Sequence, residues 1–235
     1  MINVIFNDIG LIDFNEAWKL QEKLFSDLIA YKTTKNCAGE IPANYVLFCE
    51  HPNVYTLGKS GSEKNLLISR QQMEQKNAKL YRINRGGDIT FHGPGQLLVY
   101  PIINLELFGL GIKQYVHHLE ESIILTLADF GIQAGRLQGA TGVWMDATTP
   151  HARKIAAMGV RSSRYVTMHG FALNVNTDLS FFNHINPCGF TDKSVTSVSK
   201  EKEMVIDIEG VKKQLKQNMA SVFGMNFIPD YDFRV

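Results

Sequence analysis

Three stretches with the hydrophobic repeat of an amphipathic helix lie near the start, in the middle and near the end of this chain. They cover residues 13–29, 113–130 and 207–223, where apolar side chains recur every three to four positions. Short apolar runs fill the two intervals between them. This order predicts an α/β (α+β) fold, with a mixed β-sheet flanked by helices in a single domain that spans residues 1–235.

The short apolar runs have the length of β-strands and are separated by residues typical of turns. The predicted strands are residues 45–49, 80–84, 96–104, 141–145, 154–161 and 166–176. The second and third of them lie on either side of a glycine-rich segment, which is predicted to be a turn.

The charge balance and the cysteine count exclude several classes of function. The chain has 24 Lys and Arg against 23 Asp and Glu, so no nucleic-acid partner is expected. Cys37, Cys49 and Cys188 are odd in number and form no CxxC pair. This argues against a disulfide framework and a structural zinc site, and the scattered histidines predict no metal site either.

The N-terminal residues lack a basic region followed by an apolar core, which argues against a signal peptide. No apolar run approaches the ~20 residues that a membrane-spanning helix needs. We therefore expect a cytoplasmic protein without a membrane partner.

The segment 85–96 is the densest unusual stretch, with four glycines and one proline among its residues. Glycine lets the backbone approach a ligand closely and lets it aim N–H groups inward. A wide hairpin loop without a ligand is the alternative. Neither a phosphate-binding GxxxxGK[ST] motif nor a GxGxxG motif after a strand is present.

One cysteine and one lysine stand out as candidates for chemistry. Cys188 lies between Pro187 and Gly189, at a turn rather than inside an apolar strand like Cys49. Lys154 begins an apolar run and is predicted to point inward, although a lysine at a strand start often reaches solvent instead. A nearby amine can convert a thiol to the nucleophilic thiolate. The two residues together predict covalent acyl transfer if the fold brings them close.

His92 and His169 each precede a glycine. Either imidazole could orient the thiol or shuttle a proton. The more frequent role of such a residue is to hold its neighbours by hydrogen bonds, and this is the role we predict for both.

These segments together resemble the lipoyl(octanoyl) transferases, or octanoyl-[acyl-carrier-protein]-protein N-octanoyltransferases, of the lipoate-protein ligase B family. The resemblance extends over about residues 45–199 and rests on the motifs at 51–58, 85–101, 142–144, 154–159, 169–176, 187–189 and 195–197. Asp88 stands at a position that varies in the family, and Asn186 stands where an apolar residue is common.

The resemblance implies a fold similar to biotin and lipoate protein ligase catalytic domains. It also implies transfer of an octanoyl group from octanoyl-acyl carrier protein, without a cofactor, to lysines of apo lipoyl domains and of the glycine cleavage H protein. Cys188 matches the acyl-thioester nucleophile and Lys154 the residue that lowers its pKa. The positions that match substrate-lining residues are Arg85, Gly86, Gly87, Asp88, Ile89, Thr90, Phe91, His92, Ala157, Met158, Gly159, Gly170, Phe171 and Ala172.

Three other functions fit parts of the pattern. An ATP-dependent lipoate or biotin ligase of the same fold would not need the thiol. A non-catalytic protein that binds acyl chains or lipoyl domains would not need the pair of Cys188 and Lys154. A cysteine thioesterase would release free octanoate.

Because acyl carrier proteins and lipoyl domains are typically acidic, a basic rim is expected near the catalytic segments. The candidates are Arg85, Arg161, Arg164 and Lys193.

Overall fold

The computed structural model describes residues 1–34, 43–186 and 194–229. The helices are α1 (Phe14–Thr33), α2 (Arg70–Gln75), α3 (Ile112–Asp129), α4 (Val198–Lys202) and α5 (Ile208–Phe223). The strands are β1 (Ile2–Leu11), β2 (Asn44–Glu50), β3 (Val54–Leu57), β4 (Lys79–Arg82), β5 (Ile89–His92), β6 (Gln96–Ile102), β7 (Gly135–Leu137), β8 (Ala140–Met145), β9 (Arg153–Ser163), β10 (Val166–Asn174), β11 (Ser194–Val195) and β12 (Met225–Ile228).

Two sheets are present in this part of the chain. The main sheet has the order β12-β1-β2-β6-β10-β9-β8-β7, with β11 added beside β9. Strand β1 pairs in parallel with β12 and β2, whereas the pairs of β6 with β2 and with β10 are antiparallel. The small sheet has the order β4-β3-β5. The predicted mixed sheet flanked by helices is therefore confirmed.

The three long helices begin and end where capping residues stand. Asp13 accepts a hydrogen bond from the backbone N–H of Asn15 at the start of α1, and Asp207 does the same for Glu209 at the start of α5. Gly131 and Gly224 follow α3 and α5 in the left-handed conformation that favours glycine. All three helices that the hydrophobic repeat predicts are present.

The two faces of the main sheet are covered differently. Helices α3 and α5 pack on one face and build a contiguous apolar core with Leu97, Leu119 and Leu215. Helix α1 packs on the other face, over β6 and β10. The small sheet lies beside α1 on that face, since the ring of Phe14 is 5.3 Å from that of Tyr81.

The glycine-rich segment 85–96 is not a simple turn, as the sequence had suggested. It contains β5, whose residues pair with β3 between Val54 and Leu57. Four residues between two glycine clusters are too short for their periodicity to reveal a strand. Strands β1, β3, β7, β11 and β12 and helices α2 and α4 were not predicted either. Helix α2 does carry a capping box of Ser69 and Gln72, which is a readable sequence signal.

None of the helices in the described ranges combines the length and the apolar composition that crossing a membrane requires.

Candidate active site

A pocket lies between the main sheet and the small sheet, next to α1. Its floor comes from β6, β9 and β10, and its roof comes from the segment between residues 83 and 92. The space measures about 1010 Å³ including the part that opens to solvent. Its walls are mostly apolar with a few polar side chains among them, which is typical of a small-molecule site.

The floor of the pocket is built in rows that run across the strands. The first row is polar, because Gln96 Nε2 donates a hydrogen bond to Asn174 Oδ1 at 2.8 Å. The second row is apolar and joins Leu98, Ala172 and Ala157. Since alternate residues of a strand share a face, successive rows lie ~6.6 Å apart along the strands.

The third row consists of Gly170 and Gly159, which are paired on β10 and β9. A Cβ on Gly170 would stand 2.1 Å from the backbone oxygen of Val99, and one on Gly159 would stand 2.7 Å from Cδ of Arg85. Both positions therefore require glycine, the first because of the backbone and the second because of the Arg85 stem. The pocket extends over this row because no side chain rises from it.

Lys154 stands at the polar end of the pocket, half-buried at the start of β9. Its Nζ lies 4.6 Å from the ring centroid of Trp144, whose indole Nε1 donates to the backbone oxygen of Ala140 at 3.0 Å. An ammonium over an indole face is stabilised by the ring quadrupole. The prediction that Lys154 points inward agrees with this position.

The backbone beside Lys154 is shaped by Gly142, whose φ is +129°. A Cβ on Gly142 would stand 3.2 Å from Cε of Lys154 and 2.7 Å from the backbone oxygen of Ala156. The N–H of Gly142 donates to Oε1 of Glu120 at 3.0 Å, and Glu120 also binds Arg136. Helix α3 thereby fixes the bulge in which the lysine stem lies.

Strand β11 places a further segment beside this lysine. Ser194 and Val195 pair in parallel with Arg153 and Lys154, and both line the pocket. The N–H of Thr196 donates to the backbone oxygen of Lys154 at 2.9 Å. Cys188 lies outside the described residues, between Asn186 and Ser194.

Arg85 closes the roof of the pocket from inside. Its Nη2 donates to the backbone oxygen of Thr56 at 2.6 Å, and its Nε donates to Thr56 Oγ1 at 3.2 Å. Because Arg85 is buried at 7% exposure, it is not part of the basic rim for which it was one of four candidates. Arg161 forms a salt bridge with Glu22 at 2.7 Å, so its charge is already paired within the protein.

Of the other two rim candidates, Arg164 is exposed and Lys193 lies outside the described residues.

Asp88 is buried in the same roof and organises the chain next to it. Its Oδ1 accepts hydrogen bonds from the N–H groups of Ile89 at 2.7 Å and Ser62 at 3.3 Å. Its other oxygen accepts from the side-chain amide of Asn65. The carboxylate therefore ties the loop after β3 to the pocket.

His92 is buried among polar partners. Its Nδ1 lies 2.7 Å from Oε1 of Gln96, which can only accept, so Nδ1 carries the proton. Burial lowers the pKa of His92 to about 3. The imidazole is therefore neutral at physiological pH and is held in place by Gln96.

His169 is buried as well, with 3% of its surface exposed. Burial, together with the charges of Arg85 and Arg161, lowers its pKa to about 3. Its backbone N–H donates to Oε1 of Gln21 at 3.0 Å. Among the residues that the structure describes, its Nε2 has no hydrogen-bond partner.

A third buried histidine, His51, lies behind the pocket floor and joins a short hydrogen-bond network. Nδ1 of His51 is 2.8 Å from the backbone oxygen of Ile12, so it donates, and Nε2 accepts from the hydroxyl of Tyr100 at 2.8 Å. Burial lowers the pKa of His51 to about 4 and raises the pKa of the neighbouring Cys49 thiol. Cys49 is therefore a buried core residue whose thiol stays protonated, in the apolar strand that the sequence predicts.

The pocket gathers most of the residues that the family resemblance assigned to substrate. All of them except Gly86 and Phe91 line it, and so do Lys154 and His169. Phe91 alternates with Thr90 and His92 along β5 and therefore faces the other side, where it stacks on Phe181 at 4.5 Å. Gly86 donates its N–H to the backbone oxygen of Val160 and is exposed.

Several lining residues were not predicted as site residues. They are Phe14, Ile83, Gln96, Leu98, Tyr100, Trp144, Asn174, Phe182, Ser194 and Val195. Gln96, Leu98 and Tyr100 alternate along β6, so strand periodicity could have found them together. Trp144 already stood in one of the family motifs.

No group of three or more His, Cys, Asp or Glu side chains that could hold a metal ion occurs within residues 1–34, 43–186 and 194–229.

Comparison with known proteins identifies the family. The family model of the lipoyl protein ligase A/B catalytic domain matches residues 13–220. An octanoyltransferase of Bacteroides fragilis is 54% identical over 220 residues, which cover 94% of this chain and 98% of that protein. An octanoyltransferase of Cytophaga hutchinsonii is 50% identical over 229 residues, with 95% and 94% covered.

Among solved structures, the bipartite lipoate protein ligase of Thermoplasma acidophilum superimposes with a TM-score of 0.70 at 14% identity, covering 98% of this chain and 87% of that one. This likeness confirms the ligase-like fold. The sequence relatives confirm both the predicted family and the predicted enzyme class, an acyltransferase. The chain belongs to the lipoyl protein ligase A/B catalytic-domain family.

Proposed function

We propose that this protein takes an octanoyl group from octanoyl-acyl carrier protein onto the thiol of Cys188 and passes it to the ε-amine of a specific lysine on an apo lipoyl domain. The acceptors are lipoyl domains of 2-oxoacid dehydrogenases and the glycine cleavage H protein. The reaction takes place in the cytoplasm and needs neither ATP nor another cofactor. The whole chain, residues 1–235, acts as one catalytic domain.

The observation that carries this proposal is the position of Lys154. It lies at one end of a mostly apolar pocket, and β11, which follows the segment of Cys188, pairs directly with it. A thiol delivered beside an ammonium at the mouth of an acyl-sized channel is the arrangement that thioester exchange requires.

The chemistry balances without an activating nucleotide. The thiolate of Cys188 attacks the carrier thioester, and the carrier thiol leaves with the proton that Cys188 gave up. The acceptor amine then attacks the new thioester, an amide bond forms, and the thiolate of Cys188 leaves. Lys154 stabilises the thiolate in both steps and handles the proton that the attacking amine loses.

The apolar second row and the open glycine row offer a channel for the acyl chain. Burial of each methylene contributes ~0.8 kcal/mol, so the eight-carbon chain supplies most of the affinity for the acyl group. Arg85, Asp88 and the rest of the roof hold the channel closed above it.

Intact mass spectrometry with octanoyl-acyl carrier protein and an apo lipoyl domain tests the proposal. We expect a hydroxylamine-sensitive octanoyl adduct on the wild type and on Cys49→Ser, and none on Cys188→Ser. An adduct that persists in Cys188→Ser contradicts the nucleophile assignment.

The same assay separates the other functions. A requirement for ATP with free octanoate indicates a ligase. Release of free octanoate in place of the amide indicates a thioesterase. Binding without any adduct or transfer indicates a non-catalytic protein.

A further inference from the structure

Glu120 is a buried carboxylate on α3, with 7% of its surface exposed, and the reaction described above does not use it. Its Oε1 accepts a hydrogen bond from the backbone N–H of Gly142 at 3.0 Å, and its Oε2 accepts one from Nε of Arg136 at 2.9 Å. A buried carboxylate is stable only where its oxygens have partners. Each oxygen of Glu120 has one, so this side chain connects α3 to β8.

Strand β9 contains a β-bulge opposite β8. Val143 pairs with Ala156 and Trp144 pairs with Lys154, so one step along β8 matches two steps along β9. Ile155 is the extra residue of this bulge.

The bulge decides which side of the sheet Lys154 faces. Alternate residues of a regular strand share a face, so without the bulge Lys154 would lie on the same side as Ala156. Ile155 and Ala156 both belong to the core that α3 and α5 cover, whereas Lys154 and Ala157 line the pocket on the other side. The extra residue therefore turns the lysine out of the core and into the pocket.

Gly142 connects this bulge to Glu120. A Cβ on Gly142 would stand 3.2 Å from Cε of Lys154, so its backbone lies against the lysine stem. Two residues further along β8, the ring of Trp144 lies 4.6 Å from Nζ of the same lysine. The hydrogen bond from Gly142 to Glu120 thus holds the part of β8 that touches Lys154.

We propose that Glu120 is a positioning residue of the transfer reaction, an inference that rests on the proposed function for the role of Lys154. By holding Gly142 it keeps Nζ of Lys154 on the pocket side of the sheet. Its loss leaves a buried N–H without an acceptor, which is costly enough for the strand to shift toward a new one. The lysine then moves with the strand.

Two substitutions separate the hydrogen bond from the charge. Glu120→Gln keeps an oxygen that can accept from Gly142, whereas Glu120→Ala removes it. We expect Glu120→Ala to lower kcat for octanoyl transfer about tenfold with little change in KM for the donor, and Glu120→Gln to stay within about threefold of the wild type. Glu121→Ala is the matched control, because Glu121 is the neighbouring carboxylate and binds the same Arg136, at 2.6 Å. It should leave kcat unchanged.

The decisive measurement is the pH profile of Cys188 alkylation, which needs no acyl donor and can be read even if the transferase assignment fails. A displaced ammonium stabilises the thiolate less, so Glu120→Ala should shift the profile to higher pH. The same substitution added to Lys154→Met should shift it no further, because Glu120 acts through the lysine. If the alanine variant does not fold, Glu120→Leu fills the space without an acceptor and replaces it.

Equal shifts with and without Lys154, or an unchanged profile in a folded Glu120→Ala protein, overturn the proposal. A loss of kcat in Glu120→Gln as large as that in Glu120→Ala overturns it too, because the acceptor for Gly142 is then not what matters. A wild type that forms no octanoyl adduct but shows the alkylation shift contradicts the proposed function and still supports the positioning of Lys154 by Glu120.

Discussion

Leu97 and Leu98 are neighbours on β6, both are fully buried, and they face opposite sides of the same sheet. Leu97 packs into the core that α3 and α5 close, whereas Leu98 forms part of the pocket floor. The strand and the chemistry of the two side chains are the same. What differs is the cover, which is two long helices on one side and a helix plus a small sheet on the other.

This difference shows how the pocket is made. The core side is filled by large aliphatic side chains that interlock, as in any well-packed interior. On the pocket side, β9 and β10 carry Ala157, Gly159, Gly170 and Ala172 in paired positions. The channel therefore arises from side chains that are too small to fill the space, with Arg85 closing it from above. Substitutions on the two sides should accordingly separate stability from activity.

The largest effect on the transfer rate is expected for Lys154, which lies at the end of the pocket where the acyl group reacts. Lys154→Met removes both the charge and the amine and should lower transfer ~10²–10⁴-fold, the usual range for a lost proton-transfer group. Lys154→Arg keeps the charge and should retain part of the acylation of Cys188 while transferring poorly to the acceptor. Rapid-quench mass spectrometry resolves the two half-reactions.

Lys213→Met is the control, because this exposed lysine lies on α5 over the opposite face. It should leave both half-reactions unchanged. Full activity in Lys154→Met would show that Lys154 is not needed for transfer and would contradict the assignment of function to the pocket side of the sheet.

The buried histidines give the pocket side a pH dependence. The pKa values of His51, His92 and His169 are lowered to about 4, 3 and 3. Above pH ~6.5 these groups are neutral in both states and have no effect on stability. Below it the unfolded chain takes up protons that the folded chain refuses, so stability falls until the folded pKa values are reached.

In this window each histidine lowers the free energy of unfolding by ~1.4 kcal/mol per pH unit. The three together lower it by about 4 kcal/mol per pH unit. Urea unfolding at pH 7, 6 and 5.5 measures the slope. His169→Asn should reduce it by about one third. A free energy of unfolding that stays flat between pH 7 and 5.5 would show that these imidazoles are protonated in the folded protein.

The sequence predicts the parts of this site that carry their own local signal. The hydrophobic repeats identify α1, α3 and α5, and the glycine block with Lys154 identifies the roof of the pocket and its lysine. The left-handed backbone of His169 and the burial of Arg85 depend on β10 meeting α1 and on Thr56 of β3. These contacts join residues far apart in the chain, so no local pattern contains them.

The neighbouring leucines test the comparison directly. Leu97→Ala should destabilise the protein by ~3–5 kcal/mol, because α3 and α5 cannot move in to fill the cavity. Leu98→Ala should cost only ~2 kcal/mol, since its neighbours on one side are the walls of an open pocket. Chemical denaturation measures both values.

Activity should follow the opposite order. At a temperature where both variants are folded, kcat/KM for octanoyl transfer should fall severalfold in Leu98→Ala and stay near the wild-type value in Leu97→Ala. Equal losses of stability and activity in the two variants would contradict the division between the two sides.

The smallest effect is expected for Trp144, which touches Lys154 but not the reacting bonds. Trp144→Phe keeps a ring near the ammonium and gives up the stronger cation–π contact and the bond from Nε1 to Ala140. The lost stabilisation of the charged lysine is ~0.5–1 kcal/mol, which corresponds to a two- to fivefold lower transfer rate. The thiol of Cys188 should also titrate at a slightly higher pH, which the pH profile of its alkylation measures. Trp18→Phe is the control, because this second tryptophan lies on α1 outside the pocket lining. If the two variants have the same rate and the same thiol profile, the indole of Trp144 only fills space beside the lysine and does not hold its charge.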